Sequence, residues 1–372
     1  MLIGIDASRA VAARPTGTEG YSRQLIQALL EFASRQISSG YRFRLYFRGT
    51  PPADLFPGVG LDHTDVTVIP FPRLWTHVRL SWEMARRPPD VLFVPAHVLP
   101  LVRPRASVVT VHDLGYLHFP QAHPWLQRLY LDLSTRWNAQ VAAHILADSE
   151  ATKFDLVTHY AAPPDKITVA YPGRDATLAP VRDPAEIEAV KVHYGVVGDY
   201  FLYVGTLQPR KNLSRIIAAF ATVKSKAVLV LAGARGWLYK DLFTQVHRMG
   251  LKGRVLFPGY IPDKDKMALM SGALAFVFPS LCEGFGLPVI EAHSCGCPVI
   301  TSTTSSLPEV AGDAALLVDP HDVTAIAAAM QRVIADPALR EQLIDRGFVN
   351  ARRFSWEACA QSVLNTVQTT LD

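Results

Sequence analysis

The stretch Tyr200-Phe201-Leu202-Tyr203-Val204-Gly205-Thr206-Leu207-Gln208-Pro209-Arg210-Lys211-Asn212 carries the architecture of the chain in miniature. Its first five residues form an apolar run of strand length that stops at a glycine. Beyond the loop, Leu213, Ile216, Ile217 and Phe220 fall at i, i+3, i+4 and i+7, one apolar face of a helix. Strand, loop and helix in that order are one unit of a parallel α/β sheet.

The same alternation extends outward in both directions. Toward the carboxyl end the strand-like runs are Ala227 to Ala232, Arg254 to Pro258, Ala273 to Pro279, Pro298 to Thr301 and Ala315 to Val318. Toward the amino end they are Leu2 to Asp6, Phe43 to Phe47, Val66 to Pro70, Asp90 to Pro95, Ser107 to Val111, His144 to Asp148 and Ile167 to Ala170. Helical spacing fills many of the gaps, notably Glu19 to Ala33 and Trp125 to Ala143. Between Tyr171 and Val197 the pattern lapses into Pro172, Gly173, Pro180 and Pro184 with scattered charges, then restarts at Tyr200. The sequence thus divides into a domain over 1–172, a linker over 173–197 and a second domain from 198 to 355. Consecutive helices follow from Asp322 to Leu371, with a break at Phe354, Ser355 and Trp356. Both domains read as doubly wound parallel sheets, whose ligands bind outside the carboxyl ends of the strands. The chemistry is therefore expected on loops that follow strands, in a cleft between the two domains.

Composition fits two such cores. The chain has 372 residues, 49% hydrophobic and 19% charged, too apolar to be disordered. Lys and Arg number 37 against 33 Asp and Glu, too even for a dedicated nucleic-acid binder. The four cysteines, Cys282, Cys295, Cys297 and Cys359, make neither a disulfide framework nor a complete structural zinc set. No apolar stretch has the length of a membrane span. A cytosolic protein is expected, with peripheral membrane contact open.

Two loops hold the candidate chemistry. Arg210 and Lys211 stand just before a helix start, where two cations oppose the macrodipole unless an anion lies between. A diphosphate suits them; a solvated basic loop with Asn212 as N-cap is the other reading. The second loop runs Ser280-Leu281-Cys282-Glu283-Gly284-Phe285-Gly286-Leu287-Pro288-Val289-Ile290-Glu291. Pro288 suits the first helical position and Gly296 the end. Glu283 then sits on the loop and Glu291 in the first turn, where it either binds a ligand or complements the dipole. His112 and Asp113 also follow a strand-like run, and Gly17-Thr18-Glu19-Gly20 reads as a loop before a helix, after an irregular stretch from Ser8 to Thr16. Asp263 and Asp265 match Asp-x-Asp spacing but open a helix and are read as its caps. The stretch Arg73 to Arg87 spaces Trp75, Arg79, Trp82 and Arg86 along one helical stripe. That stripe either lies on an anionic membrane or packs its tryptophans inward with arginines outward.

Together the run through Arg210-Lys211-Asn212 and the Glu283-x7-Glu291 spacing resemble the retaining, nucleotide-sugar-dependent glycosyltransferases of family four, also called group 1. The resemblance covers the whole chain and is strongest from Tyr200 to Pro320. It implies the GT-B architecture, two Rossmann-like domains facing across a cleft, with a final helix over 356–372 crossing back to the amino-terminal, acceptor-side domain. By resemblance, Arg210 and Lys211 hold the donor diphosphate and Glu283 binds donor-sugar hydroxyls. Phe285, Gly286 and Leu287 offer backbone contacts, and Glu291 holds the ribose. Gly205 lies in the donor loop, and Gly259-Tyr260-Ile261 lies where relatives hold the base. Gly17 and Gly20 lie against phosphates and acceptor, and His112 bonds the donor sugar near the reacting carbon, with Asp113 a lesser candidate. The resemblance further implies front-face retention without a bound metal or other cofactor, and the form around Gly205 and Pro209 resembles mannosyltransferases that use GDP-mannose. A saccharide or lipid-linked acceptor is implied as the second substrate. A sugar-nucleotide epimerase and a non-catalytic nucleotide- or saccharide-binding protein are the competing readings. The absence of G-x-x-x-x-G-K-[ST] argues against a nucleotide hydrolase.

Overall fold

In the computed structural model of the chain, the described residues are 1–12, 17–35, 40–58, 64–71, 73–96, 98–122, 124–236 and 239–371. They divide into two units, Met1–Gly173 with Ser355–Asp372, and Arg174–Phe354.

The first unit is built on a seven-stranded sheet of β1 (Leu2–Asp6), β2 (Arg42–Phe47), β3 (Thr64–Val68), β4 (Val91–Val94), β5 (Ser107–Val111), β6 (His144–Ala147) and β7 (Ile167–Val169). All pairings are parallel, in the order β3-β2-β1-β4-β5-β6-β7. The central strands are apolar on both faces because helices cover both, as a parallel sheet requires. One face packs on helix Gly17–Arg35 through Leu25, Ile26, Leu29 and Leu30. Helix Trp356–Thr369 completes that face through Cys359, Ala360, Val363, Leu364 and Val367. Ser355 caps it, its side chain accepting from the Ala358 amide. Gly173 is where this return is tightest, since a Cβ there would lie 2.1 Å from the Trp356 backbone nitrogen.

The second unit holds six parallel strands, β8 (Tyr200–Val204), β9 (Val228–Ala232), β10 (Val255–Gly259), β11 (Ala275–Phe278), β12 (Val299–Ser302) and β13 (Ala315–Val318). Their order is β10-β9-β8-β11-β12-β13. In each unit the order reverses beside the first strand, between β1 and β4 and between β8 and β11. Loops leaving paired strands at such a switch point diverge and leave room for a ligand.

Three departures from the sequence reading concern boundaries. Residues 173–197 are no linker. They contain helix Pro184–His193, and from Arg174 on they belong to the second unit, where the Tyr194 hydroxyl donates to Asp265 and the Val181 amide to the Ser271 hydroxyl. Prolines and charges masked this because Pro184 starts the helix with Asp183 as its cap. The Gly17-Thr18-Glu19-Gly20 loop is instead the first turn of helix Gly17–Arg35; of the irregular stretch before it, 13–16 lie outside the described residues. Finally, the stripe at 73–87 splits. Trp75 is buried, its indole N–H donating to the Ile69 carbonyl, while Trp82 is exposed under the Arg86 guanidinium.

Candidate active site

The switch point of the second sheet is flanked by the loops after β8 and β11, and these hold Arg210, Lys211 and Glu283. After β8 the chain turns at Gly205, where φ is +154° and a Cβ would meet the Tyr203 hydroxyl at 2.7 Å. It then passes through a 3-10 turn, Pro209–Lys211, into helix Leu213–Thr222. Asn212 joins the two in the left-handed region, with φ of 63°. Its side chain does not cap the helix, as the sequence reading offered. Nδ2 donates to the carbonyls of Pro279 (3.0 Å) and Pro320 (2.6 Å), tying the loops after β8, β11 and β13 together. Asparagine suits both tasks, since it tolerates positive φ and carries two amide donors.

So held, the cations converge on one carboxylate. Arg210 Nη1 lies 2.7 Å from Glu283 Oε2, and Lys211 Nζ lies 2.6 Å from Oε1. Arg210 also donates to the Cys282 carbonyl, and Lys211 sits 4.9 Å from the Phe278 ring centroid. The Glu283 amide donates to the Ser305 hydroxyl, while Ser306 donates to the carbonyls of Glu283 and Phe285. Lys211 and Glu283 are buried. Burial alone would raise the Glu283 carboxyl, but Arg210 and Lys211 overcome it and hold the carboxyl down at about 2. Thus Glu283 faces the cations directly, and the three groups carry one net positive charge suited to an anion.

The remaining candidates of this unit are placed as follows. Gly286, at φ +114°, precedes helix Leu287–Ser294, so Glu291 falls in the second turn rather than the first. Its Oε2 accepts from Lys266 at 3.0 Å, and Lys266 also pairs with Asp263. Those neighbours keep the Lys266 ammonium charged despite its burial. The Phe285 side chain is buried edge-on to Phe354 with ring centroids 5.4 Å apart. Gly259 ends β10 at φ +84°, Tyr260 is exposed and Ile261 buried. Asp263 and Asp265 lie in the first turn of helix Asp263–Ser271 and make no cap hydrogen bond to it.

In the first unit His112 follows β5, and both its ring nitrogens meet acceptors. Nδ1 lies 2.7 Å from Asp148 Oδ2 and Nε2 2.9 Å from the Pro95 carbonyl, at the end of β4. Tyr21 packs edge-on against the ring at 4.6 Å. With Asp148 ionised neither acceptor can donate, and the imidazolium then satisfies both. Burial opposes that charge, but Asp148 and the carbonyl outweigh it and raise the His112 pKa. Asp113 accepts from the Gly115 amide instead of capping a helix. Among the described residues nothing lies within 4 Å of where a Cβ at Gly17 or Gly20 would sit.

The family description "Glycosyl transferases group 1" matches residues 197–349, and "Glycosyltransferase Family 4" matches residues 27–178. O-antigen chain mannosyltransferase B of Escherichia coli is 35% identical over 292 residues, 77% of this chain and 76% of that protein. The chain is a family 4 glycosyltransferase. Two solved structures share its fold across nearly the full length. Sucrose-phosphate synthase from Thermosynechococcus elongatus has a TM-score of 0.75 at 22% identity, covering 99% of this chain and 98% of that one. Anabaena Alr3699/HepE in complex with UDP-glucose has a TM-score of 0.75 at 18% identity, covering 99% of both chains.

In this family 4 glycosyltransferase the sequence reading missed Asp148 and Lys266, the partners of His112 and Glu291. Asp148 ends a strand-like run and so met the same filter as His112, the one signal that could have found it. Among the described residues one group of side chains could hold a metal ion, His118, Asp155 and His159, with ligand atoms within 4.8 Å of one another. The His118 hydrogen bond to Asp155, 2.8 Å, is made without one.

Asp148→Asn tests the His112 geometry. It removes the charge opposite Nδ1 and is expected to lower the His112 pKa, read from the imidazole proton resonances across pH. The sign for stability follows from the raised folded value. The contribution is full below the ordinary value of 6.5 and is lost as pH rises through the folded one. An unchanged titration in the variant would leave Asp113 and the Pro95 carbonyl as the causes.

Proposed function

We propose that this glycosyltransferase moves a hexose from a nucleotide diphosphate sugar to a saccharide or lipid-linked acceptor, with retention of the anomeric configuration. Mannose from GDP-mannose is the favoured donor, and polysaccharide or glycolipid assembly the setting. The observation that carries the reading is the Arg210–Lys211–Glu283 cluster at the switch point, two cations aimed by one carboxylate. The mannosyltransferase relative supports the choice of sugar.

In the proposed reaction the acceptor oxygen bonds to the anomeric carbon as that carbon's bond to the phosphate oxygen breaks. The departing diphosphate takes the acceptor's proton. Negative charge grows on the leaving group, and Arg210 and Lys211 stabilise it where it develops. The cationic pair supplies the charge that Mg²⁺ gives elsewhere, and the proposal needs neither a metal nor another cofactor. Glu283 orients the pair and reaches the sugar hydroxyls. Gly205 and the backbone of Phe285, Gly286 and Leu287 approach sugar and phosphate, and Tyr260 and Ile261 the base. Glu291 holds the ribose. On the first unit, His112 exchanges the Pro95 carbonyl for a donor-sugar hydroxyl, and Gly17 and Gly20 adjoin phosphates and acceptor. A cytoplasmic enzyme that meets the inner face of a membrane peripherally fits a lipid-linked acceptor.

Calorimetric titration with GDP, UDP, ADP and their sugar conjugates in EDTA tests the donor assignment. Selective binding of GDP and GDP-mannose is expected; selective binding of UDP compounds would overturn GDP-mannose, and no binding would overturn the transferase site. Glu291→Ala is expected to weaken nucleoside diphosphate affinity about tenfold, the loss of one charged hydrogen-bond acceptor. Wild-type affinity in that variant would remove the ribose role.

A further inference from the structure

The first unit carries an apolar surface turned outward. Helix Trp125–Val141 buries Thr135, Asn138 and Ala139 toward the sheet. Trp125, Leu126, Leu129, Tyr130 and Leu133 occupy the opposite face and are all exposed, Trp125 at 66%. A surface helix of a globular domain places such a stripe against the core, so this one is inverted.

Two neighbouring segments extend it. Leu74, Val78 and Trp82, across the π-helical turn Thr76–Leu80 and helix Ser81–Arg86, are exposed too. His77 Nε2 lies 3.2 Å from the Tyr130 hydroxyl, joining that segment to helix Trp125–Val141. The Ser81 hydroxyl accepts from the amides of Leu101 and Val102, both exposed. Arg103 in turn donates to the Val141 carbonyl and stacks 5.1 Å from the Trp137 ring. Three segments therefore form one apolar surface within a single unit.

Its charge is as uneven as its polarity. The segments 73–87, 101–105 and 125–136 hold eight arginines and two acids, Glu83 and Asp132, a net +6 against +4 for the whole chain. Outside them the chain is slightly acidic. Exposed tryptophan, leucine and tyrosine set among arginines suit an interface that is apolar below and anionic above. Among the described residues no helix is long and apolar enough to cross a membrane.

We infer that this face docks the enzyme on an anionic lipid bilayer, with helix Trp125–Val141 lying in the interface and the arginines of 73–87 on the headgroups. The inference rests on the proposed function only for what the bilayer would present, a lipid-linked acceptor. Charge complementarity selects lipid over a second copy of this chain, which would oppose one +6 surface to another.

Co-sedimentation of the full chain with phosphatidylcholine vesicles, with and without phosphatidylglycerol, tests it at low and high salt. Binding to the anionic vesicles, weakened by salt, is expected. Leu126→Ser with Leu129→Ser, and separately Arg79→Glu with Arg86→Glu, should each weaken it more than about tenfold. All four side chains avoid the core, and an unchanged thermal transition checks that each variant is folded. Equal binding of both vesicle types, wild-type binding by both variants, or no binding would overturn the inference. So would a wild-type dimer in size-exclusion light scattering that the leucine variant abolishes. None of these measurements reads glycosyl transfer, so failure here and failure of the proposed reaction are distinguishable.

Discussion

Lys211→Ala is expected to lower kcat/KM by about a thousandfold, and Arg210→Ala by about a hundredfold, the range for removing one donor aimed at developing negative charge. Lys211 is expected to matter more because it is buried, with its ammonium fixed between Glu283 and the Phe278 ring. A charge in such a site acts through little solvent and reorganises little as the bond breaks. The loss should fall mainly on kcat, with a smaller change in nucleoside diphosphate affinity, because the interaction strengthens as the diphosphate departs. Steady-state kinetics with the donor found by calorimetry decides it. Unchanged kinetics in both variants would remove the diphosphate assignment.

Glu283→Gln should have the largest effect on stability. It takes from two adjacent cations the buried carboxylate that both of them bond, a change that costs on the order of 3 kcal/mol. The proton equilibrium points to the same size. A drop from the ordinary value of 4.5 to about 2 corresponds to on the order of 3 kcal/mol. Because the folded value is the lower one, that stability is fully present above pH 4.5 and is lost as pH falls toward about 2. The gap between wild type and Glu283→Gln in urea unfolding should therefore be widest near neutrality and close as acid is added. Added nucleoside diphosphate should narrow it at pH 7 by supplying an anion to the two cations. A constant gap across that pH range would show that the carboxylate's charge is not what holds the loop.

Every strand was legible, because a strand buried on both faces must be apolar almost throughout and the loops between are not. Even β3, exposed at Val66 and Val68 on the sheet edge, was displaced by only two residues. Arg210, Lys211 and Glu283 were legible as types on strand-end loops, and Glu291 as a type in the helix that follows one. Their contacts were not, since a pairing between residues 73 apart leaves no local spacing. The same holds for Asp148, 36 residues from His112. Asn212 does stand at the N-cap position, but its side-chain amide donates to the Pro279 and Pro320 carbonyls and makes no capping bond to the helix, which no local spacing reveals. Trp75 and Trp82 share a helical stripe by counting, but a π-helical turn lies between them and rotates them apart.

On the ribosome the first sheet emerges long before it can be finished. Cys359, Ala360, Val363, Leu364 and Val367 belong to the same apolar cluster as Leu25 and Leu29, yet they are translated only after residues 174–354. The second unit is contiguous in sequence and has all it needs once Phe354 is clear of the exit tunnel. The cover of the first sheet is therefore made in two instalments, helix Gly17–Arg35 early and helix Trp356–Thr369 after the whole of the second unit. Gly173, with no side chain to obstruct Trp356, keeps the berth open for the helix that arrives last.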